Sequence, residues 1–114
     1  MFAVNLGGEG EIPGVINQQG PWVITDPRWR SSRGGKTFAH LVADGHVFLI
    51  CPNFPLPFPD GSVDRVYTVG VPIDQLGFYG MGLLRSEIER ILKPGGEWHN
   101  DDPRNPAPVI WVKP

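Results

Sequence analysis

The sequence predicts an α/β fold, a small and mostly parallel sheet with flanking helices, and three observations carry that prediction. Val63, Val66, Tyr67, Val69 and Val71 form a β-branched and aromatic run with too little polar alternation for a sheet wetted on one face. Beyond a glycine-containing connection, Leu84, Ile88, Ile91 and Leu92 recur at helical spacing, and strand, connection and helix in that order make half of a right-handed crossover. Near the amino terminus the apolar run Phe2 to Leu6 enters Gly7-Gly8-Glu9-Gly10, where glycines let the main chain turn sharply and approach a ligand at the end of a parallel strand.

The 114 residues suit one compact domain, 1–114, that is small for a nucleotide-binding α/β enzyme. A net charge of −2 gives no general pull toward nucleic acid or an anionic membrane, so any nucleic-acid contact would need a local patch such as Arg28, Arg30, Arg33 and Lys36. The one cysteine, Cys51, excludes an internal disulfide framework and reads as a buried small apolar residue. There is no run of about twenty apolar residues, so a soluble unit without a membrane span is expected. With 15 Gly and 13 Pro, short elements joined by rigid turns are favoured over long helices.

In chain order, Phe2–Leu6 is the first strand and Pro21–Thr25 reads as another short one. Asp26 to Lys36 is a polar, basic loop. Thr37 caps a helix through Phe38, His40, Leu41 and Val42 that ends at Asp44-Gly45. His46–Cys51 reads as a fully buried strand bounded by Pro52. Pro59-Asp60-Gly61-Ser62 is a turn into the central strand. On the helix that follows, Arg85, Glu87, Glu89 and Arg90 fall opposite the apolar stripe, and Lys93-Pro94-Gly95-Gly96 stops it. The tail has a polar, proline-broken section, Glu97 to Pro108, and one last strand, Val109–Val112, expected to pair at a sheet edge.

The letters say more than the pattern. LPFPDGSVDRVY (56–67), followed by a helix ending in ERILKPGG (89–96), resembles the later half of the class I S-adenosylmethionine-dependent methyltransferase fold, in a branch reading close to LPFPDGSFDLVY and RVLKPGG. The opening VNLGGEGEIPGVINQQ (4–19) is similar to the NLGCG…PGWINVD of the same branch. The resemblance implies a Rossmann-like sheet, shortened at its carboxyl-terminal end, and S-adenosylmethionine or a related nucleotide-type small molecule as ligand. It would lie at the carboxyl ends of the strands, at Gly7–Glu11, Asn17–Gln19, Pro52–Phe54 and Val69–Asp74.

Carried over residue by residue, the cofactor-binding positions are Asn5, Gly7, Gly8, Gly10, Gln19 and Asn53. Asn5, Gln19 and Asn53 are amides where the family has acids, and a carboxamide meets a ribose diol with one acceptor and no charge. The family's SSHVLEHL segment corresponds to Thr68–Asp74, with Gly70 at the histidine position and Ile73 at the glutamate position, which leaves Asp74 as the candidate base or, equally, as a turn cap. The pattern is thus a degenerate one.

A second constellation needs no cofactor. His99-Asn100-Asp101-Asp102, with His40, His46 and the basic loop around Arg28, Arg30 and Arg33, supplies residue types for acid–base cleavage of a phosphodiester, His99 being the candidate catalyst, or for a divalent metal. The same residues read as a hydrated turn and surface histidines, and their spacing matches no zinc or EF-hand pattern, so no metal site is assigned. Trp22, Trp29, Trp98 and Trp111 could stack on bases, or serve as core or interface residues.

Three functions stand open. One is a cytoplasmic methyltransferase-like enzyme. Another follows a weaker resemblance of the opening to carboxyl-terminal domains of bacterial polymorphic or contact-dependent toxins. It implies delivery into a target-cell cytoplasm, action on RNA, DNA or a nucleotide, and an immunity protein as partner. The third is a non-catalytic scaffold, a homodimer through the edge strand Val109–Val112 and exposed tryptophans.

Overall fold

The computed structural model describes residues 1–32, 34–52, 54–69, 81–102 and 105–114, with the side chains of 81–83 and 101–110 outside the description. Six strands, β1 (Ala3–Leu6), β2 (Ile16–Gln19), β3 (Phe48–Ile50), β4 (Val63–Val69), β5 (Leu92–Asp102) and β6 (Asn105–Val112), form one sheet in the order β3-β2-β1-β4-β5-β6. All neighbours pair in parallel except β5 and β6. Leu6 lies opposite Thr68, so the first strand and the central strand are neighbours, as the two sequence runs imply. From β1 the chain steps outward to β2 and β3, then returns to β4 on the other side of β1. That reversal opens a crevice beyond the strand tips. The expected α/β, mostly parallel, Rossmann-like sheet with flanking helices is the fold observed. Among the described residues no helix is long and apolar enough to cross a membrane.

Register gives the sheet two different faces. One row runs Ile16, Val4, Val66, Trp98, Trp111 from β2 to β6, and α3 (Met81–Ile91) covers it. Leu84, Ile88, Ile91 and Leu92 of the predicted stripe are all buried there with Val63, Leu56 and Phe58. Each such side chain contributes roughly 1.5–3 kcal/mol by leaving water. The opposite face carries the row Asn17, Asn5, Tyr67, His99, which is polar throughout. Helix α2 (Phe38–Ala43) reaches that face at the β3 side, where Phe38 meets Phe48 edge-on with ring centroids 5.0 Å apart. Its cap is the one expected: Thr37 Oγ1 accepts from the His40 N–H at 3.1 Å.

Several expectations need correction. Pro21–Thr25 is no strand: Trp22–Thr25 form a short helix, α1, because the Ile24 and Thr25 N–H groups turn back to the Pro21 carbonyl. Only Phe48–Ile50 of the predicted His46–Cys51 strand pairs, and all three residues are half-buried because β3 is the sheet edge. Cys51 is likewise half-buried. The tail forms two strands rather than one, since Glu97–Asp102 pairs with β4 as well as with β6. There Trp98 and Asn100 turn inward while Glu97 and His99 stay half-exposed, a period-2 pattern hidden by the polar composition. Val109–Val112 does lie in the edge strand, as expected.

Glu87 does not belong to the wet side of α3. It is 5% exposed and accepts from the Leu56 N–H at 2.6 Å and from Arg90 Nε at 2.7 Å. Arg90 in turn donates to the Leu56 and Phe58 carbonyls and to Asp60. The proline-rich segment before β4 has no ladder partner for these main-chain groups, and the Glu87–Arg90 pair supplies one. Lys93–Gly96 ends the helix differently from the expected glycine stop. Leu92 already pairs with Val63, and the next pair is Arg65 with Glu97, so the segment is a bulge inside β5. Gly95 takes φ +82° there, and a Cβ on Gly96 would sit 2.8 Å from the Lys93 carbonyl. The connection predicted between β4 and α3 lies outside the described residues.

Candidate functional site

At the tips of β1 and β2, Gly7 to Gly10 fold back toward the sheet, with φ +64° at Gly7 and +89° at Gly10. Four consecutive main-chain N–H groups find partners within the chain. Gly7 donates to Gln18 Oε1 at 3.1 Å, Gly8 to the Asn5 and Gln18 carbonyls at 3.1 Å each, Glu9 to Glu11 Oε1 at 2.6 Å, and Gly10 to Asn17 Oδ1 at 3.1 Å. The amides that receive them are anchored in turn. Gln18 Nε2 donates to the Cys51 carbonyl at 2.6 Å, Asn17 Nδ2 to the Val47 carbonyl at 3.1 Å, and Gln19 Nε2 to the Gly8 carbonyl at 3.0 Å. A loop closed in this way offers few donors to a phosphate.

Asn5 sits beneath the loop at 0% exposure. Its Nδ2 donates to Glu11 Oε1 at 3.1 Å, and its Oδ1 is buried with no hydrogen-bond partner. An acceptor left unpaired in this position costs about 1–3 kcal/mol, so a ligand that donates there would relieve it. Glu11 therefore brings to the tip of β1 the carboxylate that position 5 lacks. Glu9, the second carboxylate of the loop, accepts from the Ser32 N–H at 3.0 Å and so ties the basic loop 26–36 to the crevice. Gly8 must be glycine: a Cβ would lie 2.4 Å from Asn17 Oδ1. Burial pushes the Cys51 thiol up, against a smaller opposing pull from its hydrogen bond with Gln18, so it is a neutral thiol at pH 7.

The structure brings together Asn5, Gly7, Gly8, Gly10 and Gln19 of the sequence-derived positions. Asn53 and Asp74 lie outside the described residues. His99 shares the polar face with Asn5 but stands two strands away, about 10 Å. There its Nε2 is 2.8 Å from Glu97 Oε1, its ring lies 5.3 Å from that of Tyr67, and Arg65 bonds the Tyr67 hydroxyl at 3.2 Å. Tyr67 and His99 are cross-strand partners between β4 and β5, whereas the other two contacts join residues two apart on a single strand. His40 and His46 belong to the β3 side of the sheet, so the histidines do not converge. Among the described residues no three His, Cys, Asp or Glu side chains could hold a metal ion.

Two features escaped sequence reasoning. Trp98 Nε1 donates to Thr68 Oγ1 at 2.9 Å, which donates to Asn100 Oδ1 at 2.6 Å, a buried relay between β4 and β5. Nothing in HNDD marks Asn100 as an inward residue. A cavity of about 180 Å³ lined by Ile12, Val15, Ile16, His46 and Val47 lies at the amino ends of β2 and β3, away from the strand tips.

No family model and no curated protein matches the sequence. Solved structures do. A candidate methyltransferase of Haloferax volcanii, in complex with the Trm112 methyltransferase activator, is 24% identical with a TM-score of 0.58, over 87% of this chain and 43% of that one. A candidate methyltransferase of Bacillus halodurans gives 18% and 0.58, over 90% and 46%. An S-adenosylmethionine-dependent methyltransferase of Thermotoga maritima gives 20% and 0.54, over 87% and 42%. The likeness establishes a methyltransferase-like fold, and this chain spans less than half the length of each of these proteins.

Proposed function

We propose that the crevice at the tips of β1 and β2 binds S-adenosylmethionine, making the chain the cofactor-binding part of a methyltransferase-like protein. The observation that carries this is the polarity of the crevice. The N–H groups of Gly7 to Gly10 are engaged, whereas Glu9, Glu11 and the unpaired Asn5 Oδ1 are acceptors. Such a site favours a ligand with cationic donors over a nucleoside phosphate, which brings negative charge and needs N–H groups. S-adenosylmethionine carries an ammonium and a sulfonium against a single carboxylate, so it is net cationic and has no phosphate. Asn5 and Glu11 would hold the ammonium, Gly7, with open space where a Cβ would stand, would permit close approach of the main chain, and Gln19 would offer Oε1 to a ribose hydroxyl while its Nε2 keeps Gly8 in place. When bound, the cofactor supplies an electrophilic methyl group. This chain's residues bind and orient it.

The S-adenosylmethionine dependence of the Thermotoga maritima neighbour supports the same reading. A thermal-shift panel tests it. S-adenosylmethionine or S-adenosylhomocysteine should raise the melting temperature, and NAD or pyrophosphate should leave it unchanged. A rise with NAD or pyrophosphate alone would overturn the assignment.

A further inference from the structure

The cavity at the amino ends of β2 and β3 stands apart from the crevice, where two connections meet. The return of the β1–β2 loop supplies Ile12, Val15 and the first residue of β2, Ile16, and the turn into β3 supplies His46 and Val47. The wall is aliphatic. Ile12, Val15 and Ile16 are half-buried and Val47 is 60% exposed, so apolar surface is left open to water there. Gly14 and Gly45 complete the lining with main chain, and a Cβ on either would meet nothing within 4 Å, which leaves the mouth open.

His46 supplies the one polar side chain of the lining. A Cβ built on Gly10 would lie 2.6 Å from its Cε1, 2.6 Å from Nε2 and 2.7 Å from Cδ2. Three neighbouring ring atoms at nearly one distance put Gly10 over the face of the imidazole, since in line with the ring edge Nε2 would be clearly the nearest. The glycine loop therefore seats the ring through its face and takes up neither nitrogen. Among the described residues neither nitrogen has a hydrogen-bond partner.

No lysine, arginine or carboxylate lines the cavity. Asp44, two residues before His46, is already paired with Lys36 Nζ at 2.8 Å. The volume of about 180 Å³ is a little more than the roughly 150 Å³ of an apolar cavity that takes up one benzene ring.

We propose that this cavity binds a small, uncharged ring compound bearing one hydroxyl, a phenol, with its ring against the aliphatic wall and its hydroxyl on a nitrogen of His46. A neutral imidazole offers one accepting nitrogen to a phenolic O–H, whereas a carboxylate brings a charge that no acidic or basic neighbour in the lining balances. The site does not rest on the reading of the crevice given above.

Proton–carbon spectra of the histidine rings test it, the chain having three histidines and His46 being identified by His46→Leu. Phenol at millimolar concentration should shift the His46 Cε1–H resonance saturably and leave that of His99, on β5, in place. Toluene should bind about fivefold more weakly, the worth of one hydrogen bond, and benzoate more weakly than phenol. Val15→Phe, which adds a ring to the lining, should abolish the shift. If Val15→Phe disturbs the fold, the wild-type titrations with the three compounds decide the matter. A His46 resonance that ignores phenol, a His99 shift as large as that of His46, equal affinity for toluene, or tighter binding of benzoate overturns the proposal.

Discussion

The side-chain amide of Gln19 donates to the Gly8 carbonyl at 3.0 Å, joining the tip of β2 to the glycine loop that follows β1. Because Gln19 is buried, this bond holds the loop against the sheet and gives the crevice its floor. A carboxylate at position 19 could not make it.

Gln19→Glu is expected to destabilise the chain, since an acceptor would then face an acceptor. The cost of a buried carbonyl left without its donor is about 1–3 kcal/mol, enough to lower the melting temperature by at least about 3 °C in a domain of this size. Calorimetry on the variant checks this, and an unchanged or higher melting temperature would speak against the loop closure.

Glu87 links stability to pH. The Arg90 guanidinium holds its carboxyl below the ordinary value of 4.5, burial opposes this, and the Leu56 N–H assists. The folded state therefore binds its proton less readily than the unfolded state does, so the contribution is present above that value and is lost as pH falls through the lower folded value. Asp64, held low by the Phe2 N–H and then by Lys93, titrates in the same direction. In Glu87→Gln, urea denaturation should show lower stability at pH 7, by about 1–3 kcal/mol for a buried acceptor weakened beside the half-buried Arg90, and a flatter acid limb than wild type. Parallel acid limbs would place the acid sensitivity elsewhere.

Two glycines should respond very differently to alanine. Gly96 has the Lys93 and Asp64 carbonyls within 2.8 and 3.2 Å of an added Cβ, and both are main chain. Gly14 has φ +78° but nothing within 4 Å. Gly14→Ala should cost about 1–2 kcal/mol, the left-handed penalty alone, and Gly96→Ala should cost more because the β5 bulge must move. The order of the two urea midpoints decides it.

Thr68→Val keeps shape and removes the hydroxyl that joins Trp98 to Asn100. It strands a buried indole N–H and a buried carbonyl oxygen, so a loss of about 1–3 kcal/mol is expected. The same denaturation, followed by near-ultraviolet circular dichroism of the tryptophans, provides the measurement. A variant as stable as wild type would show that the relay carries no net stabilisation.

Much of the fold can be read from the letters because the elements that form it are locally consistent. The valines of β4, the Leu84, Ile88, Ile91 stripe of α3 and the Thr37 cap each obey one rule without interference. The failures have physical causes. Glu87 is buried because a distant proline-rich segment needs its hydrogen bonds, which no helical wheel can show. Strand β5 hides behind Glu97 and His99 because only alternate residues enter the core, and one of those is the polar Asn100. Helix α1 is too short for any period to show. At the crevice the glycines are legible, but the way Asn17, Gln18 and Gln19 turn their amides onto the loop depends on strand pairing.

The central claim is that the crevice holds a cationic donor between Asn5 and Glu11. Calorimetric titration of S-adenosylmethionine into wild type and Glu11→Gln, with NAD as the comparison ligand, tests it most directly. Saturable binding to wild type, weakened about tenfold or more in Glu11→Gln for the loss of a charge-assisted contact, and no heat with NAD is the predicted result. Binding of NAD in preference to S-adenosylmethionine, or equal S-adenosylmethionine affinity in both chains, would contradict it.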